Sequence, residues 1–275
     1  MKCDWNGLLG ILPQFLCRQV EKLGGQEAEE LRLRIGKMPM VKLSHGYKTL
    51  PGEVNEQDLR FIVNTASRYS PWSAASAARG YITAPGGHRI DLCGEAVVDN
   101  GQVRGIGNVT SLNIRVARDV PGIADYIPVS GNMLILGPPG CGKTTLLRDL
   151  IRKCARNQPV AVVDEREELF PAGFDRGNMT DVLTGCGKGV GIEMLLRSMG
   201  PAYIAVDEIT SQADANALMD SIGCGVSLLA TAHAASKEDL HKRKLYAALL
   251  DNGVFDTLIL MSRDKSWRVE RWDGG

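Results

Sequence analysis

Hydrophobic and polar positions follow two different patterns along this chain. In the first 120 residues or so, apolar and polar residues alternate over short segments such as 31–35 and 113–118, which predicts half-buried strands. Residues 55–66 have helical spacing, and residues 8–20 predict an amphipathic helix that Pro13 delays or breaks. We therefore predict a small α+β domain at the start of the chain.

The second half alternates short apolar segments with helical stretches. Strands are predicted at residues 133–136, 160–163, 203–206, 226–230 and 257–261. Helices are predicted at residues 143–155, 191–199, 213–222 and 237–252. This alternation predicts an α/β domain with a parallel sheet covered by helices on both faces. Two prolines and weak periodicity in residues 119–129 place the junction there, so the predicted domains are 1–120 and 121–275.

Composition changes this picture only slightly. Thirty-two basic and thirty-two acidic residues cancel, so no overall charge favours nucleic acid or a membrane surface as a partner. The seven cysteines include no Cys-x-x-Cys pair, which disfavours a zinc site and suits a reducing compartment. Without a signal peptide or an apolar run of about 18 residues, we expect a cytoplasmic protein that partners recruit to any membrane.

Residues 137–145, GPPGCGKTT, match the phosphate-loop pattern G-x-x-x-x-G-K-[ST] in full. The match follows an apolar strand and opens a helix, whose N-terminus favours anions. We expect Lys143 to bridge the β- and γ-phosphates of ATP and the Thr144 hydroxyl to bind Mg²⁺. The predicted nucleotide-binding residues are Gly137, Pro138, Pro139, Gly140, Cys141, Gly142, Lys143, Thr144 and Thr145.

Carboxylates follow two of the predicted strands. Asp207 and Glu208 end the strand at residues 203–206, where such a pair can bind Mg²⁺ and activate water. Asp164 and Glu165 follow the strand at residues 160–163, and one of them is expected to take part in catalysis. His233 follows a third strand, at the position from which a P-loop ATPase with an inserted strand contacts the γ-phosphate. These residues are predicted to meet at one edge of the sheet.

The second half resembles the secretion ATPase superfamily, the hexameric motors of type II and type IV secretion and pilus systems. Four motifs occur in the order of that superfamily: the phosphate loop, an acidic box at 164–168, a Walker B region at 197–208 and a histidine box at 231–234. Residues 31–50 are similar to the strand pair of its N-terminal domain. The resemblance implies a RecA-like P-loop core behind the smaller domain, ATP and Mg²⁺ as cofactors, and a homo-hexameric ring.

Residues 80–94 and 111–118 resemble, more specifically, the stage III sporulation protein AA family. That resemblance implies work on the mother-cell side of a sporulation channel complex, with membrane proteins as partners. Arginines of the N-terminal domain reach the phosphates in secretion ATPases, and Arg115 and Arg118 are the candidates here, although a basic strand edge is the simpler interpretation.

The chain departs from the superfamily pattern near its carboxylates. Asp207 replaces the usual glycine, Thr210 and Ser211 replace Arg-Asp, and the acidic box lacks its proline. We therefore assign the catalytic base jointly to Glu208 and Glu165, with Lys143 and His233 as the other predicted catalytic residues. The predicted metal ligands are Thr144, Asp207 and Glu208.

Two other functions stay open at this stage. RecA-like cores also drive nucleic-acid motors, and Arg152, Lys153, Arg156 and Lys188 could contact phosphates. Zero net charge and the lack of an aromatic stacking cluster disfavour that function. A nucleotide-binding scaffold that hydrolyses ATP very slowly would carry the same motifs.

Overall fold

The computed structural model describes residues 3–23, 28–43, 45–67, 80–171, 173–234 and 236–272. The chain forms two compact units. The first comprises Met1–Asp119 and Pro171–Phe174, and the second comprises Val120–Phe170 and Asp175–Gly275. The first unit thus includes four residues from a loop of the second half.

The first unit contains an antiparallel six-stranded sheet in the order β3-β2-β1-β6-β5-β4. Its strands are β1 (Glu30–Arg34), β2 (Met40–Leu43), β3 (Gly46–Thr49), β4 (Tyr81–Thr83), β5 (Arg89–Asp99) and β6 (Gln102–Arg115). Its described helices are α1 (Trp5–Gly10), α2 (Gln14–Glu21) and α3 (Glu56–Ser67). Alternate strand residues such as Leu33, Ile90 and Ile114 are fully buried with Ile62 of α3, so these elements share one core.

Most predictions for this unit are confirmed, with differences at element ends. The helix at residues 55–66 is α3, and Asn55 and Asp58 cap it by accepting hydrogen bonds from each other's backbone N–H. Residues 8–20 form two helices instead of one, because Pro13 precedes α2 and cannot continue α1. The strand at residues 113–118 is the end of the much longer β6, and β3 was not predicted.

A buried histidine joins three segments of the first unit. His88 has no exposed surface, its Nε2 lies 2.8 Å from the Asp4 carbonyl oxygen, and its Nδ1 accepts from the Ala117 N–H at 3.1 Å. Burial lowers the pKa of His88, and the Asp4 carbonyl opposes that shift. The role of His88 is therefore structural.

The second unit contains a seven-stranded sheet in the order β13-β12-β7-β11-β10-β8-β9. Neighbouring strands are parallel except for β13, which is antiparallel to β12. The strands are β7 (Met133–Gly137), β8 (Val160–Asp164), β9 (Thr180–Thr184), β10 (Tyr203–Val206), β11 (Ser227–His233), β12 (Thr257–Met261) and β13 (Trp267–Arg271). The described helices are α4 (Lys143–Cys154), α5 (Lys188–Met199), α6 (Gln212–Gly223), α7 (Lys237–His241) and α8 (Lys244–Asp251).

Helices cover both faces of this sheet, as the sequence predicts. Along β7, Ile135 packs with residues of α4, whereas Leu134 and Leu136 pack on the opposite face with residues of α5, α6 and α8. All five predicted strands are present, and β9 and β13 were not predicted. The helix at residues 237–252 is interrupted, because Arg243 has extended backbone angles and starts a new helix. In the part of the chain that the structure describes, no helix is long and apolar enough to span a membrane.

Candidate nucleotide-binding site

The phosphate loop connects β7 to α4 and needs glycine at three positions. Gly140 and Gly142 have φ values of 76° and 101°, a region that strains other residues. A Cβ atom on Gly137 would lie 2.6 Å from Cys141 Sγ and 2.8 Å from the carbonyl oxygen of Met261. The side chain of Cys141 is buried in the core on the α4 side, so this residue acts as a small space-filling one.

Lys143 folds back over its own loop. Its ammonium donates to the carbonyl oxygens of Gly137 at 2.9 Å and Pro138 at 3.0 Å, and contacts His233 Nδ1 at 2.8 Å. Only 5% of the residue is exposed. Burial lowers the pKa of Lys143, and the neighbouring Cys141, Asp207 and Glu208 oppose the shift. The predicted phosphate ligand therefore lies beside the predicted γ-phosphate contact.

Two hydroxyl groups hold the carboxylate of Asp207. Thr144 Oγ1 donates to Asp207 Oδ2 at 2.7 Å, and Thr231 Oγ1 donates to Asp207 Oδ1 at 2.6 Å. Thr231 Oγ1 also accepts from the backbone N–H of Glu208 at 2.9 Å. Because Thr231 is fully buried, its hydroxyl needs such partners. These contacts join the first turn of α4, the end of β10 and the middle of β11.

Thr144 and Asp207 provide the kind of donors that Mg²⁺ prefers. Mg²⁺ takes oxygen ligands, commonly one or two from the protein and others from phosphates and water. The adjacent hydroxyl and carboxylate oxygens of Thr144 and Asp207 fit that description. Within the described ranges, no group of three or more His, Cys, Asp or Glu side chains could hold a metal ion on its own.

Glu208 has a strained backbone beside His233. Its φ is 54°, a left-handed conformation that costs a non-glycine residue roughly 1–3 kcal/mol and is frequent at functional sites. Its Oε1 lies 3.4 Å from His233 Nε2, and the side chain is about one-third exposed. Because His233 Nδ1 accepts from Lys143, we assign the ring proton to Nε2, which faces Glu208.

The two carboxylates of the acidic box, Asp164 and Glu165, have different hydrogen-bond partners. Buried Asp164 accepts backbone N–H bonds of 2.9–3.0 Å from Glu168, Leu169 and Phe170, so it shapes the loop after β8. Burial raises the pKa of Asp164, and these three N–H groups oppose the shift. Glu165 Oε2 instead accepts from Lys188 Nζ at 2.9 Å. Asp164, Glu165, Asp207 and Glu208 all line one small cavity, so the structure brings the two carboxylate groups together.

Thr210 and Ser211, two of the residues that depart from the superfamily pattern, take part in a helix cap. Ser211 Oγ accepts from the Asp214 N–H at 3.1 Å, and Asp214 Oδ2 accepts from the N–H groups of Thr210 and Ser211. Burial alone would raise the pKa of Asp214, but these hydrogen bonds outweigh it and the pKa is lowered. Thr210 and Ser211 thus start α6 and hold the segment that follows Glu208.

Arg115 and Arg118, the predicted arginine fingers, belong to the first unit. Arg115 Nε lies 2.9 Å from Asp91 Oδ2, and 55% of its side chain is exposed. Arg118 Nη2 donates to the carbonyl oxygen of Ala28 at 2.6 Å. Their contribution to the phosphate site stays a prediction.

The basic residues considered for nucleic-acid contact have protein partners. Arg152 is buried and paired with Asp149 at 2.9 Å. Lys153 donates to three backbone carbonyl oxygens, those of Ala124, Asp125 and Ile127. Arg156 pairs with Asp125 at 3.2 Å. Lys153 and Arg156 thus tie the end of α4 to the segment that precedes β7.

Comparison with known families agrees with this geometry. The model of the family described as "Sporulation stage III, protein AA" matches residues 8–270. The chain belongs to this family. Stage III sporulation protein AA of Bacillus subtilis (strain 168) is 36% identical over 286 residues, which cover 94% of this chain and 92% of that protein.

Two solved structures share the fold of this member of the protein AA family. The ATPase DotB of Yersinia pseudotuberculosis has a TM-score of 0.61 at 17% identity, covering 94% of this chain and 78% of its own. The pilus retraction motor PilT, solved with bound ADP, has a TM-score of 0.61 at 13% identity, covering 90% and 76%. The fold is therefore the RecA-like P-loop fold of the type II and type IV secretion ATPases, with a smaller α+β domain in front.

Two residues at this site have roles that the sequence did not predict. Thr231 was included in the histidine box without a function, although a hydroxyl within an apolar strand must find a buried partner. Lys188 was considered only as a nucleic-acid contact, yet 95% of it is buried beside the acidic box. The available signal for Lys188 was its place between two glycines, after the acidic box in the sequence.

Proposed function

We propose that this chain hydrolyses ATP in an Mg²⁺-dependent reaction that drives a membrane complex during sporulation. The observation that carries the proposal is the meeting of Lys143 and Thr144 of the phosphate loop with Asp207, Glu208 and His233. Membership in the sporulation stage III protein AA family supports the process. The fold shared with the ATPase DotB and the motor PilT supports the chemistry and the mechanical role.

Nucleotide binding requires Lys143 to exchange its partners. Its ammonium leaves the carbonyl oxygens of Gly137 and Pro138 and His233 Nδ1, and donates to the β- and γ-phosphate oxygens. The remaining loop residues, 138–142, surround the phosphates with backbone N–H groups. Thr144 and Asp207 would hold Mg²⁺, with Glu208 close by. When bound there, the ion would neutralise phosphate charge.

Glu208 is the proposed base for the chemical step. It takes a proton from water, and the water oxygen bonds to the γ-phosphorus while the bond to the β,γ-bridging oxygen breaks. ADP leaves with that electron pair. Lys143 offsets the charge that develops on the phosphates, and His233, released from Lys143, donates a hydrogen bond from its ring N–H to a γ-phosphate oxygen. Glu165 lines the same cavity, and Asp164 shapes the loop.

The proposed function also includes an oligomeric state and membrane partners. We infer a cytoplasmic homo-hexamer on the mother-cell side, recruited by the membrane proteins of a sporulation channel complex. Arg115 and Arg118 are proposed to bring guanidinium groups to the phosphates in that ring. ATP-driven movement of the N-terminal domains would then act on the membrane complex.

The test is Mg²⁺-dependent ATP turnover measured against protein concentration, with and without single-stranded DNA. We expect turnover to rise with protein concentration and to be unaffected by single-stranded DNA. It should be lost in Lys143→Ala and Glu208→Gln, with the fold retained. Glu193→Gln, an exposed carboxylate on α5, is the control and should keep wild-type turnover. Unchanged turnover in Lys143→Ala would contradict the proposal.

Two other outcomes point to the rival functions. Strong DNA stimulation with steep salt dependence would indicate a nucleic-acid motor. Tight nucleotide binding without turnover at any concentration would indicate a scaffold.

A further inference from the structure

Lys188 is a buried cation in the wall of the proposed hydrolysis site. Only 5% of the residue is exposed, and its ammonium donates to Glu165 Oε2 at 2.9 Å. Lys188, Glu165, Asp207 and Glu208 line the same cavity of about 20 Å³. That volume has room for roughly one water molecule. A lysine with no role beyond solubility would keep its ammonium in solvent and would not line this cavity.

A run of glycines brings Lys188 to Glu165. Gly187 caps α5, and Lys188 is its first residue. A Cβ on Gly191 would lie 2.7 Å from Val163 Cγ1, and one on Gly189 would lie 3.3 Å from the carbonyl oxygen of Ala213. Glycine at 191 lets the first turn of α5 lie directly against β8, and Glu165 follows that strand. The sequence Gly-Lys-Gly-Val-Gly thus aims the lysine at the acidic box.

The acidic-box carboxylates have separate partners. Both oxygens of Asp164 accept backbone N–H bonds, so this carboxylate serves the loop. Among the hydrogen bonds of the described residues, Lys188 is the only partner of the Glu165 carboxylate. About one-third of the Glu165 side chain is exposed, and the residue lines the cavity. The position of Glu165 relative to Glu208 therefore depends on Lys188.

We propose that Lys188 is a positioning residue that fixes Glu165 so that its carboxylate orients the water that Glu208 deprotonates. This inference rests on the proposed ATPase function and adds a second carboxylate with a defined role. Water then donates one proton to Glu208 and one hydrogen bond to Glu165, which leaves an oxygen lone pair for the γ-phosphorus. Neither Lys188 nor Glu165 changes its protonation state in this step.

Stability measurements alone cannot identify this role. Replacing one partner of a buried ion pair is destabilising, whatever the pair does. The informative quantities are kcat and KM measured separately, because orientation of water acts on the chemical step and not on nucleotide binding. A double-variant cycle then reports whether the two residues act as one unit.

The experiment measures ATP turnover and ADP affinity for Lys188→Met, Glu165→Gln, the double variant and Lys188→Arg. We expect kcat to fall by about 100-fold in each of the first two, with ADP affinity within about threefold of wild type. The double variant should be no slower than either single variant, and Lys188→Arg should recover part of the activity. Glu193→Gln is the matched control on α5, because it removes a carboxylate from an exposed ion pair.

Several outcomes would overturn the inference. Wild-type kcat in Lys188→Met or in Glu165→Gln would do so, and so would losses that multiply in the double variant. Should Lys188→Met melt below the assay temperature, Glu165→Gln and Lys188→Arg carry the test. If the wild-type protein hydrolyses ATP and these variants have the same kcat, the result contradicts the role of Lys188 but not the proposed function. A wild-type protein without turnover at any concentration contradicts the proposed function as well.

Discussion

The hydroxyl of Thr144 donates a 2.7 Å hydrogen bond to the carboxylate of Asp207, 63 positions later in the chain. The bond joins the helix that follows the phosphate loop to the strand that delivers the carboxylates. Asp207 stands where secretion ATPases usually have glycine, so this contact comes from a residue that departs from their pattern. The consequences for metal binding can be measured directly.

Thr144→Val should weaken Mg²⁺ binding, because valine keeps the shape of threonine but removes the oxygen. We expect the half-saturating Mg²⁺ concentration to rise by about 10-fold or more. Thr144→Ser keeps the hydroxyl and should stay near wild type. A Mg²⁺ titration of ATP turnover measures both, and equal midpoints for the valine and serine variants would exclude a metal role for Thr144.

Thr231→Val should slow hydrolysis without weakening nucleotide binding. The substitution removes the hydroxyl that holds Asp207 Oδ1 and the Glu208 N–H, in a site with no exposed surface. We expect kcat to fall about 10-fold or more, since small displacements of a base are costly, with ADP affinity unchanged. Turnover and fluorescent-nucleotide binding provide the two measurements. A variant with wild-type kcat would show that the strained backbone of Glu208 needs no support from Thr231.

Stability of the first unit should fall as the pH drops below about 6.5, the ordinary pKa of histidine. The folded state holds His88 neutral with a lowered pKa, so below pH 6.5 the unfolded chain binds the proton more readily. The contribution of His88 is complete above pH 6.5 and is lost as the pH falls toward the lowered pKa. The slope from this group can reach about 1.4 kcal/mol per pH unit.

Hydrogen exchange in β5 and β6 at several pH values measures this slope. His88→Gln lacks the titrating ring and should show a shallower pH dependence, whatever its absolute stability. The control is His45→Gln, at an exposed histidine, which should keep the wild-type slope. Equal slopes for wild type and His88→Gln would assign the pH dependence to other groups.

Gly86→Ala should destabilise the first unit far more than Gly101→Ala. Both glycines have left-handed backbone angles, with φ values of 77° and 74°, so both substitutions cost about 1–2 kcal/mol of backbone strain. A Cβ at Gly86 would also lie 2.6 Å from Asp4 Cβ, whereas a Cβ at Gly101 meets nothing within 4 Å. Crowding adds about 1–3 kcal/mol. Urea unfolding of the two variants measures the difference, and equal losses would refute the crowding argument.

The sequence predicted the elements whose signal is local. Strands β7, β8 and β10 are short apolar runs, and the phosphate loop follows from its own spacing. Asn55 marked the start of α3 because its side chain bonds within one turn. Asp207, Glu208 and His233 could be assigned to one sheet edge because parallel strands end there.

The rest depended on contacts between distant residues. Strand β13 carries Arg268, Glu270 and Arg271 among its five residues, and pairing with β12 defines it. Nothing near Glu165 in sequence indicates Lys188, which approaches only because α5 packs on β8. Nor does the sequence reveal that Asp164 turns to backbone N–H groups and Glu165 to a lysine.

The position of Lys143 has a consequence for the affinity of this protein for nucleotides. The Lys143 ammonium is hydrogen-bonded to two carbonyl oxygens and a histidine nitrogen. These three atoms therefore compete with phosphate oxygens for the ammonium. The observed dissociation constant is then the intrinsic one divided by the fraction of molecules in which the lysine is released. We therefore expect nucleotide affinity in this chain to depend partly on how firmly these three atoms hold the lysine.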